Sequence, residues 1–203
     1  MKLIQIMLFI ICSIHLFPSS ALQWKSLTPT MQSQQDGVVI TQHVSWVKEN
    51  QFLVELEVEL AQRSIQIEKL DFESAQLLSP YVIDPDPPIL TRKEAVQRVG
   101  TLQYCLCAAV SFHHESLPYV QQMDEHTFCW DVAKQMQEEG KENVSLSFMI
   151  DVDPNGRGYR SNEGNIIQMQ SYFTYVKGMN GKILQLQRMY LPAAKVSYQA
   201  NQA

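Results

Sequence analysis

The alternation of apolar and polar positions is sharpest between Phe52 and Leu60. Phe52, Val54, Leu56, Val58 and Leu60 interleave with Leu53, Glu55, Glu57 and Glu59. A strand turns successive side chains to opposite faces, so this period of two predicts a half-buried strand, apolar within and acidic without. Val144 to Val152 alternates almost as cleanly, with Leu146, Phe148 and Ile150 against Ser145, Ser147 and Asp151. Weaker alternation predicts strands over 38–47 (Val38, Ile40, Val44, Trp46) and 64–72 (Ile65, Ile67). Turns at Lys48-Glu49-Asn50 and Ala61-Gln62-Arg63 would join the first three strands into an antiparallel meander. Strands over 166–177 and 182–191 follow, joined around Gly178-Met179-Asn180-Gly181, where Asn-Gly supplies the positive φ angles of a hairpin.

The middle of the chain reads differently. Ser79-Pro80 and Asp84-Pro85-Asp86-Pro87-Pro88 exclude helix and deny a ladder its donors, which predicts an extended connector. Thr91-Arg92-Lys93-Glu94 has the form of a capping box. Beyond it Ala95, Val99, Leu102, Leu106 and Ala109 recur at helical spacing, while Leu102, Tyr104, Leu106, Ala108, Val110 and Phe112 fit a strand equally well. The scarcity of β-branched residues and the upstream cap favour a helix from about 92 to 112, although Gly100 costs it about 1 kcal/mol relative to Ala. A second helix is predicted after Asp124. Phe128, Cys129, Val132, Ala133 and Met136 would form its inner face, and Gly140 would end it.

This order predicts an α+β fold: an antiparallel sheet of about six strands, with two helices inserted between two three-strand sets. A β-sandwich with a helical insertion is the alternative. The single domain would span 38–192, after a polar leading segment, 22–37, and before a C-terminal tail, 193–203.

Composition adds a compartment. Lys2, the apolar run Leu3–Phe17 and the small residues Ser19-Ser20-Ala21 read as a signal peptide, 1–21, cleaved after Ala21. The expected product is secreted or periplasmic, with no membrane span after signal removal. A net charge of −5 without a basic run argues against nucleic acid as partner. Asn143-Val144-Ser145 matches the N-glycosylation acceptor pattern.

Candidate chemistry clusters in one window. Cys105, Cys107, His113, His114, His126 and Cys129 supply thiolates and imidazoles that suit copper or zinc, although their spacing matches no standard metal signature. In an oxidising compartment the plainer expectation is one disulfide, from Cys129 to Cys105 or Cys107. On a helix Cys105 and Cys107 would diverge; on a strand they would share a face. Asp151-Val152-Asp153-Pro154-Asn155-Gly156 begins like a calcium loop, but Asn162 stands where the bidentate Glu belongs, and the stretch also suits a tight turn. Glu55, Glu57 and Glu59 form an acidic stripe that reads as a solvated face able to attract a basic partner. No G-x-S-x-G, H-E-x-x-H or Gly-rich phosphate loop occurs. The expected function is that of an exported, non-catalytic domain that binds or assembles with a protein partner. A metal-binding or thiol-redox protein built on the 105–129 window is the alternative.

Overall fold

The structure, a computed structural model, describes residues 23–61, 65–66, 97–113, 116–155, 159–161, 164–179 and 183–199. The expected signal segment, proline connector, capping box at Thr91 and Asn180-Gly181 turn, most of the strand expected over 64–72, and His114 lie outside the described residues.

The strands are β1 (Gln23–Ser26), β2 (Thr30–Gln35), β3 (Val38–Lys48), β4 (Gln51–Leu60), β5 (Ile65–Gln66), β6 (Thr101–Leu106), β7 (Val110–Phe112), β8 (Val120–Gln122) and β9 (Thr127–Asp131). The helix α1 (Val132–Glu139) precedes β10 (Asn143–Val152), β11 (Tyr159–Ser161), β12 (Gly164–Ile166), β13 (Gln168–Met179), β14 (Ile183–Tyr190) and β15 (Lys195–Gln199). They form three antiparallel sheets, ordered β2-β3-β4-β10-β7, β14-β13-β6-β9-β8 with β5 also on β13, and β1-β15-β12-β11.

The alternating stretch Phe52–Leu60 lies in β4, the middle strand of the five-stranded sheet. Its neighbours are β3 and β10, the two strands whose alternation matches its own. Phe52, Val54, Leu56 and Val58 are fully buried, and each such side chain stabilises the fold by about 1.5–3 kcal/mol. The two larger sheets meet through aromatic rings. Phe148 of β10 packs edge-on against Tyr104 of β6 at 5.2 Å and Phe128 of β9 at 5.0 Å, and Phe112 of β7 reaches Phe128 at 4.9 Å. At one end Trp24 of β1 closes the core, 5.9 Å from Phe52 and 4.7 Å from Tyr198 of β15.

The α+β expectation with two inserted helices is therefore wrong: the fold is mostly β, in three antiparallel sheets. The helix expected over 92–112 ends early. Gln97 and Arg98 are helical, Gly100 takes φ +74°, and β6 begins at Thr101. A left-handed glycine just past a helix is a stop signal, so the residue weighed as a cost within the helix is its terminator. Leu102, Tyr104 and Leu106 then bury with a period of two, and that burial outweighs the helix-forming composition. The second expected helix is half strand: Phe128 and Cys129 belong to β9, and only Val132–Glu139 is helical. Its N-cap is Asp131, whose side chain accepts from the Lys134 N–H, and Gly140 closes it at φ +64° as expected.

The meander is also displaced by one strand. Ile65–Gln66 pairs with β13, whereas the third member of the β3–β4 ribbon is β2, within the polar leading segment. The expected tail contains β15, which pairs with β1 and β12.

Candidate functional site

Strand pairing turns the acidic stripe into a surface. Glu55, Glu57 and Glu59 are exposed along β4. Glu57 stands in a row with Thr41 and Gln32 on one side and Ser145 on the other; Glu55 is flanked by His43, Thr30 and Ser147, and Glu59 by Val39, Gln34 and Asn143. The three rows contain no lysine or arginine. Asn143 donates its amide to Glu57 at 2.6 Å, and His43 Nδ1 lies 2.9 Å from the Thr30 hydroxyl. Among the described residues no ion pair reaches any of the three glutamates. The result is a flat face of carboxylates set among short hydroxyl and amide side chains.

The same face continues to Asp151, which pairs in register with Ser111 of β7 and Gln51 of β4. Asp151 accepts a contact from His113 Nδ1 at 3.1 Å. Both side chains are about half exposed (47% and 40%), so water screens the pair and it adds little to stability. Beside it opens a cavity of about 330 Å³ whose lining includes Glu49, Ser111, His126, Asp151 and Asp153. Asp153 accepts from the Asn155 N–H at 2.8 Å, a local bond of the kind that tight turns make.

The Cys/His window is divided among separate places. Cys105 and Cys129 lie on the outer face of the six-stranded sheet. Cys105 is opposite Thr127 and Met169, and Cys129 is opposite Gln103 and Gln121. Cys107 falls just past the end of β6, where the chain turns inward; it is buried, its N–H bonded to Ile167 O at 3.1 Å. Being two residues from Cys105 therefore does not give it the same surroundings. His113 sits on the other sheet, and His126 donates from Nδ1 to Val110 O at 2.8 Å. Among the described residues no three His, Cys, Asp or Glu side chains converge as a metal site.

Register also bears on the expected disulfide. The three cysteines are thiols in the structure. Cys105 and Cys129 are diagonal neighbours, a relationship that spans about 7–8 Å, beyond the Cα separation usual for a disulfide.

Two polar clusters escaped sequence reading because their members are far apart in the chain. Tyr172 donates to Gln103 Oε1 at 2.6 Å, and Arg98 donates to both at 2.8 and 3.3 Å, which leaves the Gln103 amide nitrogen directed at Cys105 Sγ, 3.8 Å away. Burial pushes the Cys105 thiol pKa up, against hydrogen bonds from Gln103 and Thr127. At the β2–β3 turn, Asp36 accepts from Tyr175 at 2.7 Å and from Lys177 at 2.5 Å. Comparison with protein-family models, curated proteins and solved structures finds no match.

Proposed function

We propose that the protein is an exported, non-catalytic β-domain that binds a protein partner through the outer face of its five-stranded sheet, the partner contributing basic side chains. The observation that carries this reading is the set of three exposed carboxylates on β4 that meet no lysine or arginine among the described residues. Holding like charges in neighbouring positions on one strand face raises their mutual repulsion, and a cationic surface relieves it. The edge strands support the face over strand addition. The Gln-rich edge β2 lies against β14, with Ser33 Oγ bonded to Tyr190 O at 3.1 Å, and the opposite edges, β7 and β8, are three residues each. Among the described residues no helix is long and apolar enough to cross a membrane.

The test is affinity capture from native extract with wild type and with the E55Q/E57Q/E59Q variant. A partner held at low salt, released as salt screens the charges, and lost by the variant is the expected result. Equal capture by both proteins, or no specific capture, contradicts the reading.

A further inference from the structure

The two larger sheets are joined along one side and parted along the other. On the joined side β2 lies against β14, with Ser33 Oγ donating to Tyr190 O at 3.1 Å. On the other side the edge strands β7 and β8 are three residues each, and between them the interior opens as a cavity of about 230 Å³. The buried rings of Phe128 and Phe148 line it together with Phe112, Leu117 and Val120, which pack only partly against the core. The apolar surface that these three side chains leave unburied is thus gathered around one opening. Among the described residues no aspartate, glutamate, lysine or arginine lines the cavity. The imidazole that reaches it, His113, has Nδ1 3.1 Å from Asp151. Gln122 donates its side-chain amide to Asp124 O at 3.0 Å, which leaves its Oε1 to accept a hydrogen bond.

We propose that this cavity binds one small, uncharged aromatic molecule that carries a hydrogen-bond donor on its ring, an indole or a phenol. Size sets the first limit. An apolar cavity of about 150 Å³ holds a benzene ring. The larger volume here admits a substituted ring or a fused pair, and it falls short of the roughly 300 Å³ at which sites for larger ligands begin. Ring chemistry follows from the lining. Phe112 and Phe128 lie 4.9 Å apart at 57°, and Phe128 and Phe148 lie 5.0 Å apart at 85°. Such contacts set the positive edge of one ring against the negative face of the next, and an added ring extends the pattern as a saturated ring of equal size does not. Neutrality follows from the missing counter-charge, because an ionised ligand would exchange its hydration for phenyl rings. Gln122 Oε1, an acceptor within an otherwise apolar site, fixes the ligand's orientation through its donor. The cavity faces the interior between the sheets, so this site is independent of the acidic outer face.

The experiment titrates indole into the full-length protein with isotope-labelled methyl groups and follows the Leu117 and Val120 signals by NMR. Both should shift under the ligand's ring current and saturate at about 1 mM indole or below, the affinity open to so small a ligand in an apolar site. 1-Methylindole lacks the N–H and should bind about three- to tenfold more weakly, whereas Gln122→Leu should bind the two ligands alike. Phenol should bind more tightly than cyclohexanol, which matches it in size and hydroxyl but not in aromaticity. Val120→Phe fills the cavity and should abolish saturation over the same range, and Leu117→Phe serves the same purpose if that variant fails to fold. The wild-type titration decides the matter even if neither variant folds. Unmoved Leu117 and Val120 methyls, undiminished indole binding in a folded Phe variant, equal affinity for indole and 1-methylindole, or equal affinity for phenol and cyclohexanol would each overturn the proposal.

Discussion

Gln42 of β3 donates its side-chain amide to Oε1 of Gln168 on β13 at 3.3 Å, across the interior between the two large sheets. Both residues are buried, and the same Gln168 oxygen accepts the Ala194 N–H at 3.3 Å. One carbonyl thus anchors β3 and the segment before β15 to the centre of the six-stranded sheet. The pair contributes less to net stability than to alignment, because Gln42 Oε1 and Gln168 Nε2 are buried without a protein partner among the described residues.

The two glutamines should therefore respond unequally to replacement by methionine, which has a similar shape. Gln168→Met removes the acceptor of two donors and should cost about 1–3 kcal/mol. Gln42→Met removes one donor together with an unpartnered oxygen and should cost less. In urea unfolding, the double variant should lose less than the two single losses added together, since Gln42 no longer seeks an acceptor. Equal single losses that simply add would contradict this arrangement.

Asp36 makes stability depend on acid. The hydrogen bond from Lys177, and then that from Tyr175, hold its carboxyl below the usual carboxylate range, against an opposing contribution from burial. A folded-state value below the unfolded one contributes stability that is present above the unfolded value and lost as pH falls through the folded one. Asp36→Asn tolerates the left-handed turn conformation at φ +53° but removes the charge. It should cost about 1 kcal/mol at neutral pH, modest because Lys177 is about half exposed. Unfolding midpoints of the two proteins should converge as pH falls below about 4. A difference that persists unchanged at low pH would show that the loss is not electrostatic.

The aromatic contact between the sheets should be the most sensitive part of the core. Phe148 touches Tyr104, Phe112 and Phe128. Phe148→Ala should cost about 3–5 kcal/mol by denaturant titration, and Phe148→Leu much less. A loss below about 1 kcal/mol for the alanine variant would mean that the sheets do not pack through this ring.

Two glycines differ in what a side chain would meet: Gly140 carries only a left-handed conformation (φ +64°), whereas Gly164 combines a positive φ (+154°) with crowding. A Cβ on Gly140 meets nothing within 4 Å, so Gly140→Ala should cost about 1 kcal/mol, from the left-handed cap alone. A Cβ on Gly164 would come within 2.6 Å of Val196 O and Leu27 Cδ1, and backbone cannot yield as a side chain can. Gly164→Ala should therefore be the more damaging of the two in thermal unfolding. The reverse order would contradict the packing of β12 on β15.

Much of the sheet was legible because burial on one face of a strand writes a period of two into the sequence, as in β4 and β10. The failures share a cause. In β6 the residues Thr101, Gln103 and Cys105 lie on the outer face, while Leu102, Tyr104 and Leu106 bury; the same residues satisfy helical spacing, and only the partner strands β9 and β13 decide between them. In β2, Thr30–Gln35 is an edge strand with a polar sequence, so it carries no hydrophobic period to read. The acidic stripe was visible in sequence. That no lysine or arginine stands in its rows among the described residues emerged only from the registers of β2, β3 and β10.

The most direct measurement is carbodiimide footprinting of carboxylates, with the captured partner present and absent. Glu55, Glu57 and Glu59 should label readily in the protein alone and lose most of that labelling in the complex, while Asp124 and Glu125, on the other sheet's β8–β9 turn, stay unchanged. Unaltered labelling of the β4 glutamates in a saturated complex, or protection confined to the β8–β9 end, would contradict the assignment of the five-stranded face as the binding surface.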